Sequence, residues 1–506
     1  MDNNDAFTLP TPSDGQKFTV VELVTKLIEK CLALHKIACW CYPDGTRIGL
    51  YVHKDVVWEP AELTLSKWLE GVYTQIIDAG YKVPQYTSVR REFFARLEDR
   101  TIRFIRKPPL KIAFKNCIFD WYKFLFEDKP LVESVENVVP ESLEELENCD
   151  PEYFEKFNDD FVVNYIDHRL LYSINNVGED DLEELAKKLC PKTLEAFKQW
   201  VGDNWRLLFE IIGFCLYPSY DIHKAIMLIG SGANGKSTYL RLVKDILGDR
   251  NVSSVSLQAL TSNRFMPAQL YQKLANIYPD LPSEAVQDVG IFKALVGEDY
   301  ISADRKYRDP ISFVNYAKLL FSANQLPPVS EHTEAFYRRW IVVEFPNKFK
   351  PDPEFYKNTF TEEEIEGCIV VSIYAFKFAW KRKEFTGQTG ENDIREKWLR
   401  ETNPVYNFVK TMEERGVIEL DENAKVERDT LYELYQKFCD EEGIRCFDKS
   451  WFVRRLESLG FGLTRSHNKR YIRGIRLKGD VTLNSYGDSD SGDLDGWSLD
   501  EVLGGD

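Results

Sequence analysis

The sequence predicts a multidomain α/β protein built around a P-loop core, and three observations carry that expectation. The chain's 506 residues exceed what a single hydrophobic core ordinarily supports, so about two to four domains are expected. The apolar run Ile226-Met227-Leu228-Ile229 ends in the glycine-rich stretch Gly230-Ser231-Gly232-Ala233-Asn234-Gly235-Lys236-Ser237-Thr238, and Tyr239 to Leu247 follows with its apolar residues at helical spacing. Strand, glycine loop and helix therefore stand in that order. Near the carboxyl end, three helical patterns precede a hairpin pattern rich in lysine and arginine, which is the order of a winged helix.

Gly230, four residues, then Gly235-Lys236-Ser237 is the spacing of a nucleoside triphosphate loop. Glycines let backbone N–H groups turn inward on phosphates, and the helix that follows presents its positive end to the same anion. Gly230, Ser231, Gly232, Ala233, Asn234, Gly235, Lys236, Ser237 and Thr238 are thus the expected cradle for ATP. Lys236 is placed to reach the β- and γ-phosphates, and the Ser237 hydroxyl to ligate Mg²⁺.

Hydrophobic residues make up 43% of the chain, an ordinary share for a globular protein. No apolar run approaches the roughly 18 residues that span a bilayer, and Met1-Asp2-Asn3-Asn4-Asp5 is acidic where a signal peptide is basic, so a cytoplasmic protein without a membrane partner is expected. The net charge of −17 argues against nucleic acid only if it is evenly spread, and it is not. Ten cysteines lie scattered without Cys-x-x-Cys spacing, which fits a reduced compartment and buried thiols. Cys31, His35, Cys39 and Cys41 fall close enough to surround a zinc ion. Phe18 to Lys36 reads as an amphipathic helix, however, and Cys39 to Tyr42 as a strand, so core packing is the preferred reading.

In chain order, residues 1–17 are polar and read as a loose arm. Residues 18–130 mix helices (Thr19 to Lys36, Leu63 to Ala79, Ser88 to Glu98) with short strands such as Ile48 to His53, as an N-terminal α/β accessory domain would. Acids crowd residues 131–179, which read as a solvated connector. Residues 180–218 carry helical patterns at Asp180 to Leu189, Pro191 to Val201 and Asn204 to Leu216, a block suited to a collar. The ATPase core is expected over residues 219–400.

Within that core, Lys273 to Tyr278 is an apolar strand pattern that leads into Pro279-Asp280. A carboxylate at the carboxyl end of such a strand faces Mg²⁺ and the attacking water, so Asp280 is the expected metal-side acid. Glu284 is either a second carboxylate or an acid at a helix start. Tyr316 to Ser322 is the next strand, and Asn324 just beyond it reads as a γ-phosphate sensor or as a turn-forming residue before proline. Arg338-Arg339 directly precedes the strand pattern Trp340 to Phe345. In a ring, an arginine held there can reach a neighbour's γ-phosphate.

Together these residues resemble the superfamily 3 helicases, and closely the helicase part of phage, poxvirus and archaeal-plasmid primase-helicases. The likeness covers roughly Thr193 to Phe349 and rests on Gly230 to Thr238, Tyr278-Pro279-Asp280, Lys293 to Asp299, Asp304 to Arg308, Phe321-Ser322-Ala323-Asn324 and Arg338-Arg339. A weaker upstream likeness includes Phe114 to Asp120. The resemblance implies an AAA+-like core forming a ring, usually hexameric, that encircles DNA and moves 3′ to 5′ along one strand. It implies that Gly235, Lys236 and Ser237 carry nucleotide and Mg²⁺, that Asp280 is the Walker B acid and Asn324 sensor 1, and that Arg338 or Arg339 is the finger acting across subunits. It also implies a basic hairpin in the ring channel, where Lys306, Tyr307 and Arg308 fall; there a lysine grips phosphate and a tyrosine offers a face to single-stranded DNA. An ordinary surface hairpin is the alternative. No separate polymerase-like region stands ahead of the P-loop, so primer synthesis is not expected.

The expected winged helix, residues 403–478, comprises Val405 to Arg415, Glu427 to Gly443, Lys449 to Leu459 and a hairpin from Phe461 to Leu477. From Lys449 to Lys478 its bases include Arg454, Arg455, Lys469, Arg470 and Arg473 against the single acid Glu457. Such a face binds DNA phosphates or packs on the acidic core. Residues 479–506 carry eight acids and no base, and read as a disordered tail that offers a contact to a replication partner. The function expected is a viral or plasmid replicative helicase, ATP-driven and assembled as a homo-oligomer on single-stranded and forked DNA. A nucleotide-switched origin-binding initiator and a DNA-packaging motor are the rivals.

Overall fold

The computed structural model describes residues 18–35, 37–41, 47–54, 57–79, 81–100, 102–105, 110–136, 162–175, 177–282, 284–286, 288–306, 308–329, 332–466 and 469–478. The expected arm, most of the acidic run, Tyr307 and the tail lie outside the described residues. Two compact units result, Met1–Asn324 with Val329–Thr389 and Gln325–Pro328 with Gly390–Asp506. Among the described residues no helix is long and apolar enough to cross a membrane.

The first unit opens with α1 (Val20–Leu34), β1 (Ile37–Cys41), β2 (Arg47–Lys54), β3 (Val57–Pro60), α2 (Ala61–Asp78), α3 (Tyr86–Arg100) and β4 (Ile102–Ile105). Thr19 starts α1 with a capping box: its hydroxyl accepts the Glu22 amide at 3.2 Å, and the Glu22 carboxylate accepts the Thr19 amide at 3.0 Å. Leu23, Val24, Leu27, Ile28 and Cys31 then form one buried stripe, packed with Leu65, Leu69, Val89 and Phe93. The sheet runs β3-β2-β1-β4, and β1 pairs antiparallel to β2 and parallel to β4. Cys31 lies within that core, as its place on the apolar face requires, and burial pushes its thiol up to about 12.

Two expected boundaries need correction. The chain continues through β5 (Lys111–Phe114), β6 (Cys117–Asp120), α4 (Trp121–Leu125), β7 (Val135–Glu136) and β8 (Tyr165–Ile166), which form a separate sheet of order β7-β6-β5-β8. Residues 110–130 therefore do not belong to the first sheet, and the stretch expected as a connector supplies two strands. Ion pairing and burial explain why. Glu136 accepts from Lys111 at 2.5 Å and also from Lys123, so the first acids of the run are partly neutralised. The Trp121 indole N–H donates to the Leu216 carbonyl at 2.9 Å, and its ring meets Tyr217 and Phe376 edge-on, which anchors the small sheet on the P-loop block. Asn164 donates to the Asn251 side chain at 2.9 Å and to the Gln272 carbonyl at 3.0 Å from the other side.

Helices α5 (Leu182–Leu189), α6 (Pro191–Val201) and α7 (Trp205–Leu216) follow the expected helical block. Then come β9 (Ala225–Ile229), α8 (Lys236–Leu247), β10 (Val252–Ser253), α9 (Leu257–Ser262), β11 (Ala275–Tyr278), α10 (Val289–Val296), β12 (Tyr300–Arg305), β13 (Arg308–Val314), β14 (Lys318–Ala323), α11 (Glu334–Tyr337), β15 (Trp340–Glu344), α12 (Phe355–Thr359) and α13 (Glu362–Arg382). The main sheet is parallel throughout, in the order β10-β11-β14-β9-β15, and its central strands are buried along their length, as parallel strands covered on both faces must be. Helix α7 lies close along α13; a Cβ on Gly213 would stand 2.1 Å from the Ser372 carbonyl oxygen, so that crossing requires glycine. Buried Glu364 of α13 accepts the Lys192 and Thr193 amides at 3.1 and 3.0 Å and satisfies the start of α6.

The second unit contains α14 (Glu391–Thr402), α15 (Pro404–Glu414), β16 (Ile418–Glu427), α16 (Arg428–Glu441), α17 (Lys449–Ser458), β17 (Gly462–Ser466) and β18 (Lys469–Leu477). Its antiparallel sheet is ordered β16-β18-β17, so the expected hairpin gains a third strand that the helical reading missed. Phe408, Tyr435, Phe438 and Phe452 form its aromatic core. Residues 325–328 join this unit through the Leu326 amide, which donates to Glu401 at 3.0 Å, and the Pro327 carbonyl, which accepts from the Trp398 indole at 2.8 Å.

Candidate nucleotide site

The parallel register brings the sequence-predicted residues together. Ile229 lies beside Ala323, and Tyr278 beside Phe321, so β9, β14 and β11 end at nearly one level. Gly230, Asn324 and Asp280 leave the sheet there. Gly232 to Thr238, Asp280, Ser322 and Asn324 line one cavity of about 810 Å³. Ser231 is exposed beside it, and Glu284 does not line it.

The loop turns as its glycines allow. Gly235 has φ +95°, and a Cβ there would also meet the Trp200 indole at 2.6 Å, so both backbone and packing exclude a larger residue. Helix α8 begins immediately after it and directs its amino end at the cavity. Lys236 is buried, and its ammonium donates to the Gly230 carbonyl and to Asn234 Oδ1 at 3.2 Å. Burial lowers its pKa, and the Asp280 carboxylate opposes that shift. The exposed Ser237 and Asp280 supply hard oxygen donors to the same space, a set that suits Mg²⁺.

Arg338 and Arg339 stand elsewhere. They precede β15, whose Trp340 pairs with Ala225 at the start of β9, whereas the glycine loop follows the end of β9. Five strand residues, about 17 Å, separate the two ends. The two arginines also differ from each other. Arg339 is partly buried, its Nη1 donates to the Ala335 carbonyl at 2.5 Å, and burial together with Arg338 lowers its pKa against the pull of Asp299. Arg338 is exposed, while its carbonyl is pinned by Lys224 Nζ at 2.6 Å.

Of the predicted DNA-contacting residues in the first unit, Lys306 does not line this cavity. Lys306 is exposed in the turn between β12 and β13, Arg308 opens β13, and Tyr307 lies outside the described residues. Arg454 and Arg455 are exposed on α17, and Arg470 and Arg473 on β18. Lys469 is tied to Glu427 at 2.7 Å. Arg465 and Arg470 face each other across β17 and β18, a like-charge pair that costs stability.

Sequence reasoning missed the cavity's other wall: Gln199, Trp200, Phe349 and residues 350–353 with Phe355. The signal available was the proline-punctuated aromatic run Phe345-Pro346 to Phe355 after the last core strand.

Residues 228–339, which span the glycine loop, Asp280, Asn324 and both arginines, match a family of unknown function, DUF5906. Residues 400–482 match the family described as poxvirus D5 protein-like. The protein called "Putative helicase L207/L206" from Acanthamoeba polyphaga mimivirus is 29% identical over 190 residues. In these stretches the chain is similar to viral proteins, one of them called a putative helicase. The match takes in 35% of this chain and spans only 19% of the mimivirus protein. Among solved structures, "The A form apo structure of NrS-1 C terminal region-CTR" aligns with 89% of this chain and 98% of its own, at 14% identity and a TM-score of 0.41. A second structure of that region, "CTR(305-718)", covers 88% and 98% at 13% identity and a TM-score of 0.38.

Proposed function

We propose that this chain is an ATP-driven DNA helicase subunit that works as a ring, with nucleotide shared between neighbouring subunits.

 Lys236 and the inward amides of the glycine loop hold the triphosphate, and Ser237 and Asp280 hold Mg²⁺. Held by Ser237 and Asp280, Mg²⁺ would supply positive charge against the phosphate oxygens. Asp280 and Asn324 orient the attacking water from the ends of adjacent strands. The observation that carries this reading is the convergence of Lys236, Ser237, Asp280 and Asn324 on one cavity at the carboxyl ends of β9, β11 and β14.

The strand order, with β14 between the loop strand and the Asp280 strand, supports an AAA+-like core. Arg338 is about a strand's length from its own nucleotide, so in this reading it serves a neighbour's, which makes the ring the active form. Lys306 at its hairpin tip grips single-stranded DNA, moving 3′ to 5′. The second unit acts as a winged helix, with Arg454, Arg455, Arg470 and Arg473 on duplex phosphates. Hydrolysis and displacement of a forked duplex with a free 3′ tail test the proposal. Lys236→Ala should abolish both activities, and strand displacement by that variant at the wild-type rate would overturn it.

A further inference from the structure

The nucleotide cavity has a second wall that the phosphate chemistry leaves unused. After β15 the chain runs back across the glycine loop. The Phe345 amide donates to the Ile229 carbonyl at 2.8 Å, Asn234 Nδ2 donates to the Phe345 carbonyl at 3.2 Å, and the Phe349 amide donates to the Ala233 carbonyl at 2.8 Å. Asn347 Nδ2 donates to the Gln199 carbonyl at 2.7 Å and fastens the same strap to the end of α6.

The strap delivers Phe349 and Phe355 to the cavity, both half-buried. Phe355 is backed by aromatic rings, with centroids 6.3 Å from Trp200 and 6.2 Å from Phe360. Trp200 in turn rests against Gly235 of the loop. One wall is therefore polar and suited to phosphate, and the other, which includes Lys350 and Asp352, carries aromatic rings and is hydrogen-bonded to the first. A triphosphate seated on Lys236 must lodge its nucleoside in the rest of the cavity. Aromatic faces left partly open to water gain most by covering a flat π system, and a nucleobase is one.

We propose that residues 345–355 are the nucleoside-holding strap of this site, with Phe349 stacking on the base of the bound nucleotide and Phe355 closing the same wall. The inference rests on the nucleotide reading above. Phe349 makes its bond to Ala233 through the backbone, so removing its ring leaves the loop's attachment in place.

The test compares ATP with inorganic tripolyphosphate, which has phosphates and no base, by titration calorimetry of the full chain with Mg²⁺. Phe349→Ala should weaken ATP binding about 10-fold and leave tripolyphosphate binding within about twofold of wild type. Phe349→Tyr, which keeps the ring, should restore ATP affinity. Unchanged ATP affinity in Phe349→Ala, or equal loss for both ligands, overturns the stacking role. Wild-type protein that binds neither ligand overturns the nucleotide site itself, a result distinct from either.

Discussion

The Ala225 amide donates to the Arg339 carbonyl across 2.7 Å, at the end of the main sheet opposite the glycine loop. That bond fixes where the arginine pair can act. Arg338→Ala should leave ATP affinity near wild type and cut the hydrolysis rate of the assembled protein by roughly 10³-fold. Mixing it with Lys236→Ala should recover part of the rate, since mixed interfaces pair an intact cradle with an intact arginine. A single variant that hydrolyses ATP normally would remove the cross-subunit role.

Arg339 has a different job. Its half-buried guanidinium spans the Ala335 carbonyl and the charge of Asp299, so Arg339→Ala should destabilise the fold by about 1–3 kcal/mol in urea unfolding. Mixing it with Lys236→Ala should give less recovery than Arg338→Ala gives. Equal recovery by both would mean that burial does not distinguish them.

At the tip of β17 and β18, Arg465 opposes Arg470 at a cost that a bound phosphate would offset. Arg470→Ala should weaken duplex DNA binding and lower the slope of log affinity against log salt by about 1. The variant should melt no lower than wild type. An unchanged salt slope would place DNA on another face.

Buried thiols set an alkaline limit. Burial pushes Cys31, Cys117, Cys215 and Cys368 up to about 12 from an ordinary value of about 9. The unfolded chain therefore releases these protons first as pH rises. Their contribution to stability is complete below pH 9 and is lost between about pH 9 and 12. Buried Lys318, lowered to about 7 by burial, works the other way, with stability gained as pH rises above that value. The urea midpoint should fall from pH 9 upward, and Cys215→Ala should fall less steeply relative to its own value at pH 8. Identical slopes would assign the loss to other groups.

Much of the site was legible because its chemistry is local. The spacing from Gly230 to Ser237 fits a phosphate loop through backbone geometry alone, and an acid or amide just past an apolar strand reaches the carboxyl edge wherever that strand lies in the sheet. Helix limits were also legible: Pro191 to Val201 was expected and found, with its proline at the first turn. The three-stranded character of the second unit was not, since β16 reads Ile418-Glu419-Leu420-Asp421 and then turns polar, and its pairing partner lies some fifty residues on.

By itself the sequence singled out the candidate phosphate- and metal-binding residues, where the main strands and helices run, and that bases gather near the carboxyl end. Only the tertiary structure decided which of Arg338 and Arg339 faces outward, that Glu136 and Tyr165 belong to a sheet rather than a connector, and that Phe349 and Phe355 line the cavity beside the glycine loop. The physical reason is range. Phosphate loops and helix caps are built from neighbours in the chain, whereas burial, ion pairing and cavity walls depend on residues that meet only after strands distant in sequence have paired.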